Sequence, residues 1–150
     1  MSKLKQAVLF ASASLVATSA LPTVTDIDSA ELARLAASGV TVIDIRTAGE
    51  WQETGVIAGS KLLTFFDEKG RADPPLWLEK VKAVARPEQP VILICRSGNR
   101  TRAASQFLDG QAGYKTVYNV AKGIGAWTME GRPLVPSGST VAGCAADAKC

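Results

Sequence analysis

Four consecutive apolar residues, Val91-Ile92-Leu93-Ile94, run straight into a cysteine, Cys95. A strand that is apolar at every position has no face to offer water, so it belongs inside a sheet covered on both sides. The rest of the chain supplies the cover in alternation. Val40 to Ile45 is a second short β-branched run, Lys61 to Phe65 and Thr116 to Val120 are further strand candidates, and Pro22 to Thr25 is an extended lead-in. Helical segments lie between them. Asp28 or Ser29 caps one that carries Leu32, Leu35 and Ala36 on a single face and ends at Gly39, and Thr47 begins a short one through Trp51. Asp67 to Pro75, with Gly70 and the Pro74-Pro75 pair, reads as a loop into a helix from Leu76 to Ala85. After Arg100, Ala103, Ala104, Phe107 and Leu108 recur at helical spacing, and Gly123 opens a last short helix that finishes near Pro133. This order predicts an α/β fold: one domain with a mainly parallel central sheet, helices on both faces, and sites at the carboxyl ends of strands.

One core is what 150 residues support, and 47% apolar against 21% charged residues is the balance of a folded protein. The first twenty residues stand apart from it. Lys3 and Lys5 precede an apolar run from Ala7 to Ala17 that ends in Thr18-Ser19-Ala20, the pattern of a secretory signal peptide cleaved after Ala20. The run is too short for a spanning helix, so no stable membrane association is expected after cleavage. Losing residues 1–20 removes two lysines and no acid, which brings the formal charge from +3 to +1 and leaves no argument for nucleic-acid binding. The division expected is a leader at 1–20, a folded domain at 21–136 and a tail at 137–150, in a periplasmic or secreted protein. In such an oxidising compartment Cys144 and Cys150 can close a small loop in the tail or remain two free thiols, and Cys95 is left over.

Chemistry concentrates in Cys95-Arg96-Ser97-Gly98-Asn99-Arg100, the loop between the most buried strand and an amphipathic helix. A thiolate there meets loop amides, the positive end of a helix dipole and two guanidinium groups, each of which lowers the thiol pKa. Gly98 lets the backbone approach a bound group with no Cβ in the way. The same amides suit an oxyanion.

This loop resembles the active-site loop of rhodanese sulfurtransferases, which begins with cysteine, continues with a basic residue and has glycine three positions on. Other segments are similar to that family in order and spacing. Asp44-Ile45-Arg46 with Glu50-Trp51 looks like its Asp-x-Arg and Glu-aromatic segment, and Gly55-Val56-Ile57-Ala58-Gly59-Ser60 looks like its Gly-His-Ile-x-Gly-Ala segment with Val56 in place of histidine. Gly123-Ile124-Gly125-Ala126-Trp127 resembles the late Gly-Gly-x-x-x-Trp element. The resemblance, covering about residues 26–133, implies a thiosulfate sulfurtransferase. Cys95 would attack the outer sulfur of a small anionic donor bound by Arg96, Ser97, Gly98, Asn99 and Arg100, and pass it as a persulfide to a thiophilic acceptor such as cyanide, a thiol or a partner protein. Asp44 and Arg46, ion-paired with Glu50, would brace the loop. No metal or organic cofactor is implied.

Two other readings stay open at this stage. A phosphatase or arsenate reductase on the same fold needs arginine six residues after the cysteine, and that position is Thr101, with Arg100 one residue early and Arg102 one late. A periplasmic sulfur carrier or binding module with little turnover would show the same residues. A Cys-His hydrolase is excluded, because the chain has no histidine.

Overall fold

The computed structural model describes residues 24–139. The expected leader with its cleavage site and the Cys144–Cys150 pair lie outside the described residues. Five strands alternate with five helices: β1 (Val24–Ile27), α1 (Ser29–Ala37), β2 (Thr41–Asp44), α2 (Ala48–Thr54), β3 (Lys61–Leu62), α3 (Pro74–Val84), β4 (Val91–Ile94), α4 (Asn99–Gly110), β5 (Val117–Val120) and α5 (Gly123–Met129). The strands pair in the order β1-β5-β4-β2-β3, and every pairing is parallel. The predicted α/β architecture is the observed one.

Strand alternation divides the core between the two faces of the sheet. Ile43, Val91, Leu93, Cys95 and Val117 point toward α3 and α4, where Trp77, Val81, Ala104 and Leu108 meet them. Val42, Ile92, Ile94 and Val120 point the other way, against Leu32 and Leu35 of α1 and Ile124 and Trp127 of α5. All four residues of β4 are fully buried, which is why the strand tolerates no polar position. Each such aliphatic side chain contributes about 1.5–3 kcal/mol on leaving water.

Four local expectations differ from the structure. Pro22 to Thr25 was expected only as an extended lead-in, but Val24–Ile27 is a full edge strand whose partner is β5; nothing local signals a pairing across the whole length of the domain. Lys61 to Phe65 is ladder only at its first two residues. Beyond them Leu63 and Phe65 still donate N–H bonds to Asp44 O and Ile45 O, as the chain leaves the edge to carry Phe65 into the core. Pro74 and Pro75 belong to the helix, not to the loop. They occupy its first positions, where no N–H is needed, and Asp73 caps it by accepting from Leu76 N at 3.0 Å. Finally, α2 runs on to Thr54 instead of stopping at Trp51.

Val56 and Val135 exchange backbone bonds of 2.9 Å each way. Val56 is fully buried. The position where the resemblance anticipates histidine is thus a packed apolar contact that ties down the segment after α5.

Candidate active site

Cys95 follows directly on β4, the middle strand of the sheet, and its side chain lies on the α3/α4 side. Carbonyl and amide groups at strand ends must find new partners, and here α5 provides them. Ile124 N–H donates to Cys95 O at 2.8 Å and Gly125 N–H to Arg96 O at 3.0 Å. With both carbonyls held by α5, the amides that follow turn toward the sulfur: Gly98 N–H donates to Cys95 Sγ at 3.2 Å.

Two glycines make this docking possible. Gly98 has φ +89, and a Cβ on it would stand 2.0 Å from Ala121 O. Gly123 has φ +58, and a Cβ there would stand 2.4 Å from Cys95 O. Both contacts are with backbone that cannot move aside, so only glycine fits.

Thr101 completes the surroundings of the sulfur. Fully buried in the first turn of α4, its hydroxyl donates to Gly98 O at 2.9 Å and lies 3.6 Å from Cys95 Sγ. Burial of the sulfur is the largest single influence on its pKa and raises it, but the Thr101 hydroxyl and the amides of Thr101, Ser97 and Gly98 outweigh it together. The thiol therefore sits below its ordinary value, and the anion is favoured by hydrogen bonds more than by any one charge.

The remaining residues singled out from sequence take different positions. Arg96, Ser97 and Asn99 are exposed at the loop, with side chains that make no hydrogen bond among the described residues. Arg100 is held elsewhere: its Nη1 and Nη2 donate to Glu50 Oε2 and Oε1 at 2.7 and 2.6 Å. That corrects the expected brace, in which Glu50 pairs with Arg46. The Glu50 carboxylate goes to Arg100, whose hydrogen bonds, with help from Thr47 N–H and the charges of Arg100 and Arg46, hold its pKa down to about 2 against the opposing effect of burial.

Arg46 instead pairs with Asp44, Nη2 to Oδ2 at 2.7 Å, and both side chains are buried. Its other donors reach Thr54 Oγ1 at 2.6 Å and Gly55 O at 2.9 Å. Every donor of this guanidinium is spent on the end of β2 and on α2, so Arg46 braces the scaffold on which Glu50 stands. Removing either member of such a pair would leave a buried charge, at a cost of about 3–5 kcal/mol.

Sequence reasoning missed three features: the hydrogen bonds of Thr101, the docking of Gly123 and Gly125 on the loop, and the Glu50–Arg100 pair. Thr101 was legible in part, since a hydroxyl residue one turn into the helix after a nucleophilic loop faces back toward that loop.

A parallel α/β sheet with a cysteine of lowered pKa and converging amides at the carboxyl end of its middle strand defines a class: domains with a cysteine in a strand-to-helix loop. Within that class the family is settled by comparison. The profile of the rhodanese-like domain matches residues 28–130, and the chain belongs to that family. A protein named sulfurtransferase from Allochromatium vinosum is 34% identical over 115 residues, which are 75% of this chain and 95% of that protein. Thiosulfate sulfurtransferase 18 from Arabidopsis thaliana is 30% identical over 115 residues, 74% of this chain and 83% of its own. Among solved structures, a rhodanese-related protein from Thermoplasma volcanium superposes with a TM-score of 0.58 at 29% identity, covering 75% of this chain and 99% of that one.

Proposed function

We propose that this protein is a thiosulfate sulfurtransferase that works through a persulfide on Cys95. The observation that carries the proposal is a thiol at the end of the central strand whose anion is favoured by Gly98 N–H and the Thr101 hydroxyl. The names of relatives at 30% and 34% identity support it. In the first step the Cys95 thiolate attacks the outer sulfur of thiosulfate, the sulfur–sulfur bond breaks, and sulfite leaves with the bonding electron pair. The loop amides and the exposed Arg96 meet the donor's oxygens, while Ser97 and Asn99 offer further donors at the mouth.

The terminal sulfur of the persulfide is then taken by a nucleophilic acceptor such as cyanide or a thiol, and the Cys95 thiolate is the leaving group. Its low basicity helps both halves, because the anion is present to attack and leaves readily. A phosphate or arsenate reaction lacks support, since Thr101 stands where that chemistry needs a guanidinium. The twenty-residue leader motif supports a periplasmic or secreted setting for the reaction.

Mass spectrometry of the intact chain after thiosulfate treatment tests the proposal. One added sulfur atom on Cys95, lost in Cys95→Ser and removed by cyanide with formation of thiocyanate, is the expected result. Sulfur confined to other residues would overturn it.

A further inference from the structure

Glu50 is engaged twice. Its Oε2 accepts the N–H of Thr47 at 3.1 Å in the capping box that starts α2. Both its oxygens also accept from Arg100, fifty residues on, at the first turn of α4. The first contact is local and needs no charge, because glutamine serves at this position of a capping box as well as glutamate. The second joins two elements beside the cysteine. Arg100 stands in the first turn of α4, at the end of the loop that Cys95 begins and within reach of its charge.

A guanidinium grips an oxyanion through the same fork of N–H groups that it offers a carboxylate. With Glu50 on both terminal nitrogens, the end-on pair of N–H groups is occupied and the charge is balanced. The loop therefore faces a donor with one uncommitted guanidinium, Arg96, and one neutralised guanidinium, Arg100. We infer that Glu50 is a donor-selectivity residue: by holding Arg100 it reduces the positive charge at the loop, and so disfavours dianionic sulfur donors relative to monoanionic ones. The inference rests on the sulfur-transfer reading above and specifies which donors that site prefers. Glu50 acts through Arg100 and is a positioning residue.

Glu50→Gln removes the charge while keeping the capping box. Persulfide formation by the full chain would be followed with thiosulfate, a dianion, and with benzenethiosulfonate, a monoanion whose outer sulfur is also bound to a sulfonyl group. In both reactions the thiolate attacks the outer sulfur and the sulfur–sulfur bond breaks; sulfite or benzenesulfinate leaves with the electron pair. The variant is expected to raise kcat/KM for thiosulfate by about fivefold, mainly through KM, and that for benzenethiosulfonate by less than about twofold. The difference should shrink with added salt. The pH midpoint of thiolate absorbance should fall by about half a pH unit, because Arg100 then faces the sulfur unopposed. Glu50→Asp, which restores the charge, should return the donor ratio toward that of the parent chain. An equal change for both donors, or a fall for thiosulfate, would overturn the inference while leaving the sulfur-transfer reading intact. A parent chain that forms no persulfide with either donor would overturn both.

Discussion

Thr101 shows how one hydroxyl can lower the pKa of a buried thiol. Six residues after Cys95 and on the inward face of α4, it is poised between Gly98 O and the sulfur. A hydroxyl hydrogen can serve only one acceptor at a time. When the sulfur is a thiolate the stronger acceptor is charged, and the balance shifts toward it. Thr101→Val keeps the shape and deletes the hydrogen bond, so the thiolate midpoint is expected to rise and persulfide formation near neutral pH to slow. Loss of the buried bonds should cost about 1–2 kcal/mol. Thiolate absorbance against pH, with a denaturant titration beside it, checks both effects. A midpoint that does not move would show that the amides alone set the reactivity of Cys95. The sequence places this hydroxyl one turn into the helix after the loop, but its partners depend on how α4 docks against the strand end.

At the scale of elements, the active loop is shaped as much by α5 as by the helix that follows it. The amides of Ile124 and Gly125 take up the carbonyls of Cys95 and Arg96, and Gly123 passes so near that a methyl group would meet Cys95 O at 2.4 Å. Gly123→Ala should therefore force α5 and the loop apart, at a cost of about 2–4 kcal/mol and with persulfide formation reduced at least ~100-fold. Gly131 is the informative control. It also has positive φ, at +68, but a Cβ there meets nothing within 4 Å. Gly131→Ala should cost only about 1 kcal/mol of backbone strain and leave persulfide formation unchanged. Equal losses in the two variants would mean that positive φ, and not the approach to the loop, is what the first glycine serves. The same packing explains why the last helix was readable from its motif while its task was not: the sequence shows glycines, and the contact they allow is with a strand end some thirty residues earlier.

For the molecule as a whole, two carboxylate–guanidinium pairs stitch β2 and α2 to the site. Asp44–Arg46 is buried and local to the end of β2. Glu50–Arg100 is partly exposed and joins α2 to α4. Folding depresses the Glu50 pKa from 4.5 to about 2. The unfolded chain thus binds the proton more readily, and the pair's contribution is fully present above about pH 4.5 and disappears as the pH falls toward about 2. Allowing for screening by solvent, the contribution is about 2 kcal/mol. Unfolding free energies from denaturant titrations between pH 5 and pH 2 should fall more for the parent chain than for Glu50→Gln, by about 2 kcal/mol. Parallel slopes would show that the pair adds nothing to stability.

Local pattern alone determined the fold class, the order of the elements after β1 and the candidate loop that follows β4. A run such as Val91 to Ile94 has few physical solutions, and an apolar period followed by a helical one fixes the sense of strand, turn and helix. Cys95 could be chosen over the other two cysteines on the same ground, since the pattern places it between a strand and a helix. Tertiary structure decided the rest. It turned residues 24–27 into an edge strand, gave Arg46 to Asp44 and Arg100 to Glu50, brought Gly123 against the loop and set Thr101 beside the sulfur. The physical reason is common to these cases. Each is a pairing between groups well separated in the chain, or a choice between neighbours of like chemistry, and periodicity carries no information about either. Two arginines and two acids in one region admit more than one pairing, and only the packed positions of β2, α2 and α4 select among them.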